Sequence, residues 1–134
     1  MYTVDYAFDA DRNVLVVRTR GALPTSEWAG ISERATREGE THGCNRFLFD
    51  HREARFKLRF ADLWSLPRNA GRFRLPDGAR IALVIGHPLG KEKDFIEAFN
   101  RNRGFDLKVF DNEEAAVFWL SRFLQDRNPL EFSR

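Results

Sequence analysis

Two continuous apolar runs, Phe47-Leu48-Phe49 and Ile81-Ala82-Leu83-Val84-Ile85, constrain this fold more than any other feature of the chain. A strand that faces water on one side alternates apolar and polar residues. A run without alternation needs cover on both faces, which is the environment of an inner strand in a mostly parallel sheet. The second run is the more hydrophobic and is the candidate for a central strand. Asp50 ends the first run, and polar residues follow.

The rest of the chain supplies neighbours for those strands. Tyr2–Phe8 alternates weakly and meets a turn cluster, Asp9-Ala10-Asp11-Arg12-Asn13. Val14–Thr19 follows as a β-branched strand, and the short link makes the pair an antiparallel hairpin. Gly21 is expected to break that strand. Pro24-Thr25-Ser26-Glu27 opens a helix whose buried stripe is Trp28, Ile31 and Ala35, closed by Gly39 and Gly43. Phe60, Leu63, Trp64 and Pro67 trace one face of a short second helix, which Pro67 ends or kinks. Pro76-Asp77-Gly78 is a turn. Phe95, Ile96, Phe99 and the closing Gly104 describe a third helix. Leu107 and Val109 alternate with Lys108 as a last strand, and Asp111, three residues before Glu114, is placed to cap a fourth helix with the stripe Ala116, Trp119, Leu120, Phe123 and Leu124. The order β-β-α-β-α-β-α-β-α implies right-handed crossovers and an α/β fold with a mixed, mostly parallel five-stranded sheet. Residues 1–125 read as one domain and 126–134 as an exposed tail.

Three places resemble a known family. Leu48-Phe49-Asp50-His51-Arg52-Glu53-Ala54 is similar to a strand ending in D-x-R. Phe95-Ile96-Glu97-Ala98-Phe99-Asn100-Arg101-Asn102-Arg103-Gly104 is similar to that family's third helix, and Val109-Phe110-Asp111 with Glu114, Ala116, Trp119 and Leu120 is similar to its ending. The chain thus resembles the STAS domains, and within them the bacterial SpoIIAA-like group also described as STAS/SEC14 domains. The resemblance implies a sheet with about four helices packed chiefly against one face. It also implies kinship with anti-sigma-factor antagonists, which act by protein binding, and a comparison with lipid-carrier domains. In the antagonist branch a phosphorylatable Ser opens the helix after the Asp-ended strand. Here that stretch reads Phe56-Lys57-Leu58-Arg59-Phe60-Ala61-Asp62, without Ser or Thr, so that switch is expected to be absent.

Composition narrows the function classes. At 134 residues, 43% hydrophobic and 31% charged, the chain can bury one core without staples. The thirteen Phe and three Trp residues should lie mostly inside, with Trp28, Trp64 and Trp119 facing the core. The net charge of +2 gives no global field for nucleic acid or membrane. The single cysteine, Cys44, excludes an internal disulfide and a CxxC metal site. No export signal or membrane-length apolar run is read, so a reducing, cytoplasmic setting is expected. Charge is nevertheless uneven: His51–Arg80 holds eight basic residues against three acids, an excess of +5, which leaves −3 elsewhere.

Ligands of open α/β sheets gather at the carboxyl ends of the strands. That rule selects Asp50, His51 and Arg52 after the third strand, Gly86 and His87 after the fourth, and Asp111 after the fifth. Converged, they would make a small polar or anionic site, or a hydrolase-type or metal site at His51 and His87. The plainer alternative has Asp50 and Arg52 fixing turns, both imidazoles at the surface, and Asp111 as a cap. Gly86-His87-Pro88-Leu89-Gly90-Lys91 is one residue short of a phosphate-loop spacing, and Glu92 replaces the Mg²⁺-binding hydroxyl, so no ATP site is expected. Arg55 and Arg59, in the basic middle, are candidates for contact with an acidic protein partner or an anionic lipid headgroup. Nucleic acid is not expected there, because the interleaved Phe residues read as core.

The residues therefore point to a non-enzymatic STAS-like binding or regulatory module acting through protein–protein contact, with no cofactor. A carrier of a small apolar or lipid-like ligand is the second reading, suggested by the aromatic content. Self-association stays open.

Overall fold

The computed structural model describes residues 1–56, 78–86 and 106–121, without the side chains of Thr25, Trp28, Ala29 and Phe56. The expected helices around Phe60–Pro67 and Phe95–Gly104, with Arg59, Trp64, His87, Lys91 and the tail, lie outside these residues, as does the side chain of Trp28.

Five strands form one sheet in the order β1-β2-β3-β4-β5: β1 Tyr2–Asp9, β2 Val14–Leu23, β3 Arg46–Phe56, β4 Arg80–Val84 and β5 Asp106–Phe110. β1 is antiparallel to β2, and the other three pairings are parallel, as the β/α alternation predicts. Both apolar runs lie largely inside: Phe47, Leu48, Ala82 and Val84 are fully buried, while Leu83 and Ile85 are partly buried.

Strand alternation divides the interior into two layers. Leu15, Val17, Phe47, Phe49 and Ile81 point to one side, where Ile31 and Ala35 of helix α1 (Trp28–His42) cover them. Val14, Leu48, Ala82 and Val84 point to the other, under Ala116 and Leu120 of the second helix, α2, at residues 113–121. Fully burying side chains of this size contributes about 1.5–3 kcal/mol each.

Of the about four helices expected chiefly on one face, those around Phe60–Pro67 and Phe95–Gly104 fall outside the described residues, and the last does not share the face of the first. Two α-helices are found among the described residues, and they lie on opposite faces. The physical reason is connectivity. α1 links parallel neighbours β2 and β3, so the right-handed crossover fixes its face. α2 follows the last strand, escapes that rule, and covers the apolar residues of the other face.

Three boundaries also differ. Gly21 does not end β2: it has φ +89 and continues the strand to Leu23, with its α-carbon so close to Met1 that a Cβ would lie 2.3 Å from the Met1 carbonyl oxygen. Asp50 does not end β3, which runs on to Phe56 beside the extended end of β2. Gly39 lies within α1, and Gly43 alone closes it, in the left-handed conformation (φ 63) that a Cβ disfavours. Trp119 is half-buried against Phe110, at a ring-centroid distance of 5.8 Å, whereas Phe118 on the same helix is 66% exposed.

Candidate functional site

The parallel register sets Arg18 of β2 directly beside Asp50 of β3, on the face that α2 covers. One step later the register moves from Arg18↔Asp50 to Arg20↔Glu53, so β3 carries one more residue than β2 across this interval. Such a bulge bends the strand and re-aims its side chains. Arg52 folds back onto Asp50: its backbone N–H and Nε donate to Oδ1 at 3.1 and 2.9 Å, and Nη2 donates to Oδ2 at 2.8 Å. Arg18 Nη1 donates to the same Oδ2 at 2.6 Å.

A second carboxylate arrives from the first turn of α2. Glu113 accepts both terminal nitrogens of Arg18, Nη1 to Oε1 at 2.9 Å and Nη2 to Oε2 at 3.0 Å, and Arg52 Nη2 to Oε1 at 3.1 Å. Two guanidiniums and two carboxylates thus form one cluster bridging β2, β3 and α2. The two acids differ in setting. The Asp50 side chain is 9% exposed, while that of Glu113 is 35% exposed.

The electrostatics follow. Burial pushes the Asp50 carboxyl up, but the side-chain and backbone hydrogen bonds of Arg52 and the charges of Arg52 and Arg18 outweigh it, so the group stays below the usual carboxylate range. The hydrogen bond from Arg18 holds Glu113 below its ordinary value, opposed by partial burial. Both guanidiniums are raised in turn, Arg18 chiefly by Glu113 and Arg52 chiefly by Asp50. All four groups are therefore charged at neutral pH.

His51, next in sequence to Asp50, points to the opposite layer. Its ring is buried beside Phe49, centroids 6.0 Å apart, with Nδ1 2.6 Å from the Thr19 hydroxyl. Burial drives its pKa down to about 4 against the opposing charge of Asp50, so the imidazole is neutral at physiological pH. This corrects both readings of His51: it is neither a surface imidazole nor a partner of Asp50 in a converged polar site. Asp50 and Arg52 do not fix loop turns either, since both belong to a strand.

The remaining candidates separate. Asp111 is exposed and accepts Asn112 Nδ2 at 3.0 Å; the cap of α2 is Asn112, whose Oδ1 accepts the Ala115 N–H at 2.8 Å. Gly86 lies against β3, where a Cβ would come within 3.1 Å of the Arg52 carbonyl oxygen. Arg55 is exposed and forms no ion pair among the described residues. Of the basic excess, Arg52 is neutralised within the cluster, and Arg80 pairs with Asp106 at 2.6 Å. Arg18 and Glu113 were not selected from the sequence. The available signal was the charge interrupting Val14-Leu15-Val16-Val17, since an arginine on an otherwise apolar strand needs an acid beside it.

Among the described residues no group of three His, Cys, Asp or Glu side chains is arranged to hold a metal ion, and no helix is long and apolar enough to cross a membrane.

Neither the protein-family models nor the curated proteins contain a match to this chain. Solved structures do match. An anti-sigma factor antagonist from Mycobacterium paratuberculosis aligns over 90% of this chain and 94% of its own, with 14% identity and a TM-score of 0.52. An uncharacterised protein with a SpoIIAA-like fold from Shewanella loihica covers 89% of this chain and 93% of its own at 17% identity, with a TM-score of 0.49. The anti-sigma factor antagonist SpoIIAA in its unphosphorylated form covers 91% and 98% at 13% identity, with a TM-score of 0.46. The alignment with the mycobacterial antagonist carries the assignment, and at such identity it concerns the fold alone: this chain shares the α/β fold of that antagonist.

Proposed function

We propose that this chain is a non-enzymatic regulatory module that acts by binding a protein partner, and that it does so without the phosphoserine switch of the antagonists. The observation that carries this reading is the condition of the polar groups midway along β2 and β3. Arg18, Asp50, Arg52 and Glu113 satisfy one another, and His51 is turned into the core against Thr19. A catalytic centre needs a base or nucleophile held free to meet a substrate. These groups are spent on one another instead, which suits a recognition surface. Likeness in fold to a protein named as an anti-sigma factor antagonist agrees with this reading by analogy. The stretch Phe56–Asp62 offers no hydroxyl to a kinase, so control would rest on partner availability or on the surface itself.

Calorimetry with each purified anti-sigma factor of the source organism tests the proposal directly. Saturable binding at micromolar or lower concentration to one of them supports it. Binding to none, together with turnover of any small substrate by the purified chain, would overturn it.

A further inference from the structure

The two carboxylates of the cluster are not equivalent. Asp50 is almost enclosed and receives four donors, three from Arg52 and one from Arg18. It belongs to the sheet and is the fixed counter-ion. Glu113 reaches the same arginines from outside, from the first turn of a helix that joins the sheet late in the chain, and keeps a third of its side chain in water. Its contact with Arg18 is the parallel two-bond geometry by which an arginine recognises any carboxylate. The side chains of Arg18 and Arg52 are themselves 37% exposed.

Without Glu113, two guanidiniums would face one carboxylate, leaving one net positive charge with unsatisfied donors aimed at solvent. Such a site favours an anion with planar oxygens. The Arg18–Glu113 contact is part-buried and bidentate, and an incoming carboxylate that makes the same two bonds recovers what the loss of Glu113 costs. An incoming carboxylate can therefore replace Glu113 at small cost, and the positive end of α2 adds to the attraction.

We propose that Arg18 and Arg52 form a carboxylate receptor, that Glu113 occupies it in the free chain, and that an acidic side chain of a protein partner takes the place of Glu113 on binding. This rests on the reading of the chain as a protein-binding module and supplies the chemistry of its contact. The exchange is competitive, so Glu113 sets the affinity threshold for a partner.

The test uses a short poly-glutamate peptide as probe, with poly-glutamine as control, at low salt, monitored through the side-chain ¹⁵N–¹H signals of Arg18 and Arg52. In Glu113→Gln the competitor is gone, and the expected result is peptide binding about fivefold tighter than in the wild type, with the Arg18 signals moving most. Adding Arg18→Gln to that variant should return binding to the poly-glutamine level. Circular dichroism establishes that each variant is folded; if the Arg18 variant is not, Arg18→Lys serves, because it keeps a charge and loses the two-bond fork. Equal peptide binding by wild type and Glu113→Gln, or arginine signals unmoved at saturation, overturns the receptor. A genuine partner that binds the wild type, Glu113→Gln and Arg18→Lys alike would also overturn it while leaving the protein-binding reading intact.

Discussion

Replacing Asp50 with Asn keeps the volume of the side chain and removes the charge at the centre of the cluster. The wild-type carboxylate accepts four hydrogen bonds from two arginines. An amide accepts on one oxygen only and turns its N–H donors toward guanidiniums that can only donate. Removing one partner from a fully buried ion pair costs about 3–5 kcal/mol, whereas exposed pairs contribute about 0–1 kcal/mol. Asp50 is buried, but both arginine side chains are 37% exposed and can rehydrate. The expected loss lies between these limits, at about 2 kcal/mol, or about 6–10 °C in Tm for a chain of this length. The pH dependence carries a definite sign. Because the folded-state pKa of Asp50 is lowered, its contribution is fully present above the unfolded carboxyl value of about 4 and disappears as pH falls through the lower folded value. Urea titrations of both proteins at neutral pH and at about pH 3 give the comparison. The gap between them should be open at neutral pH and narrow in acid. Equal midpoints at neutral pH, or a gap that persists undiminished in acid, would refute the reasoning.

Other outcomes follow from single contacts. Asn112→Ala removes the acceptor for the Ala115 N–H and should cost about 1 kcal/mol in urea unfolding, while Asp111→Ala, which leaves that bond in place, should cost distinctly less. Phe47→Ala opens a cavity in the layer beneath α1 and should cost about 3–5 kcal/mol by the same assay. His51, with its pKa lowered to about 4, should show imidazole NMR signals that do not titrate between pH 8 and about 5. Since the unfolded chain takes up a proton near pH 6.5 and the folded one does not, His51 lowers stability progressively as pH falls from about 6.5 toward 4.

The architecture was legible where side-chain pattern alone decides structure. Phe47–Phe49 and Ile81–Ile85 could be read as inner strands because nothing else buries both faces of such short runs, although β4 ends one residue earlier, at Val84. The face of α2 was not legible, because a terminal helix obeys no crossover rule and settles where apolar surface remains. The end of β3 was misread at Asp50 because His51-Arg52-Glu53-Ala54-Arg55 looks like a loop. Beyond Asp50 the strand pairs with β2 and is no longer paired with β4, so its polar side chains can remain hydrated. Extending the alternation Phe47, Phe49, His51 would have put the imidazole inside. The link from Arg18 to Glu113 spans 95 residues, and only the packing of α2 creates it. The choice of Asp111 over Asn112 as cap was an error of one residue, within the ordinary uncertainty of a helix end.

Native mass spectrometry of the full chain, purified gently from its own host at low salt, tests the central claim most directly. A module that works by protein contact should carry a protein-sized mass increment at a fixed stoichiometry, and that increment should be lost as salt screens the contact. A chain that instead carries a uniform increment of a few hundred daltons, apolar on extraction and indifferent to salt, would contradict the account and identify a carrier.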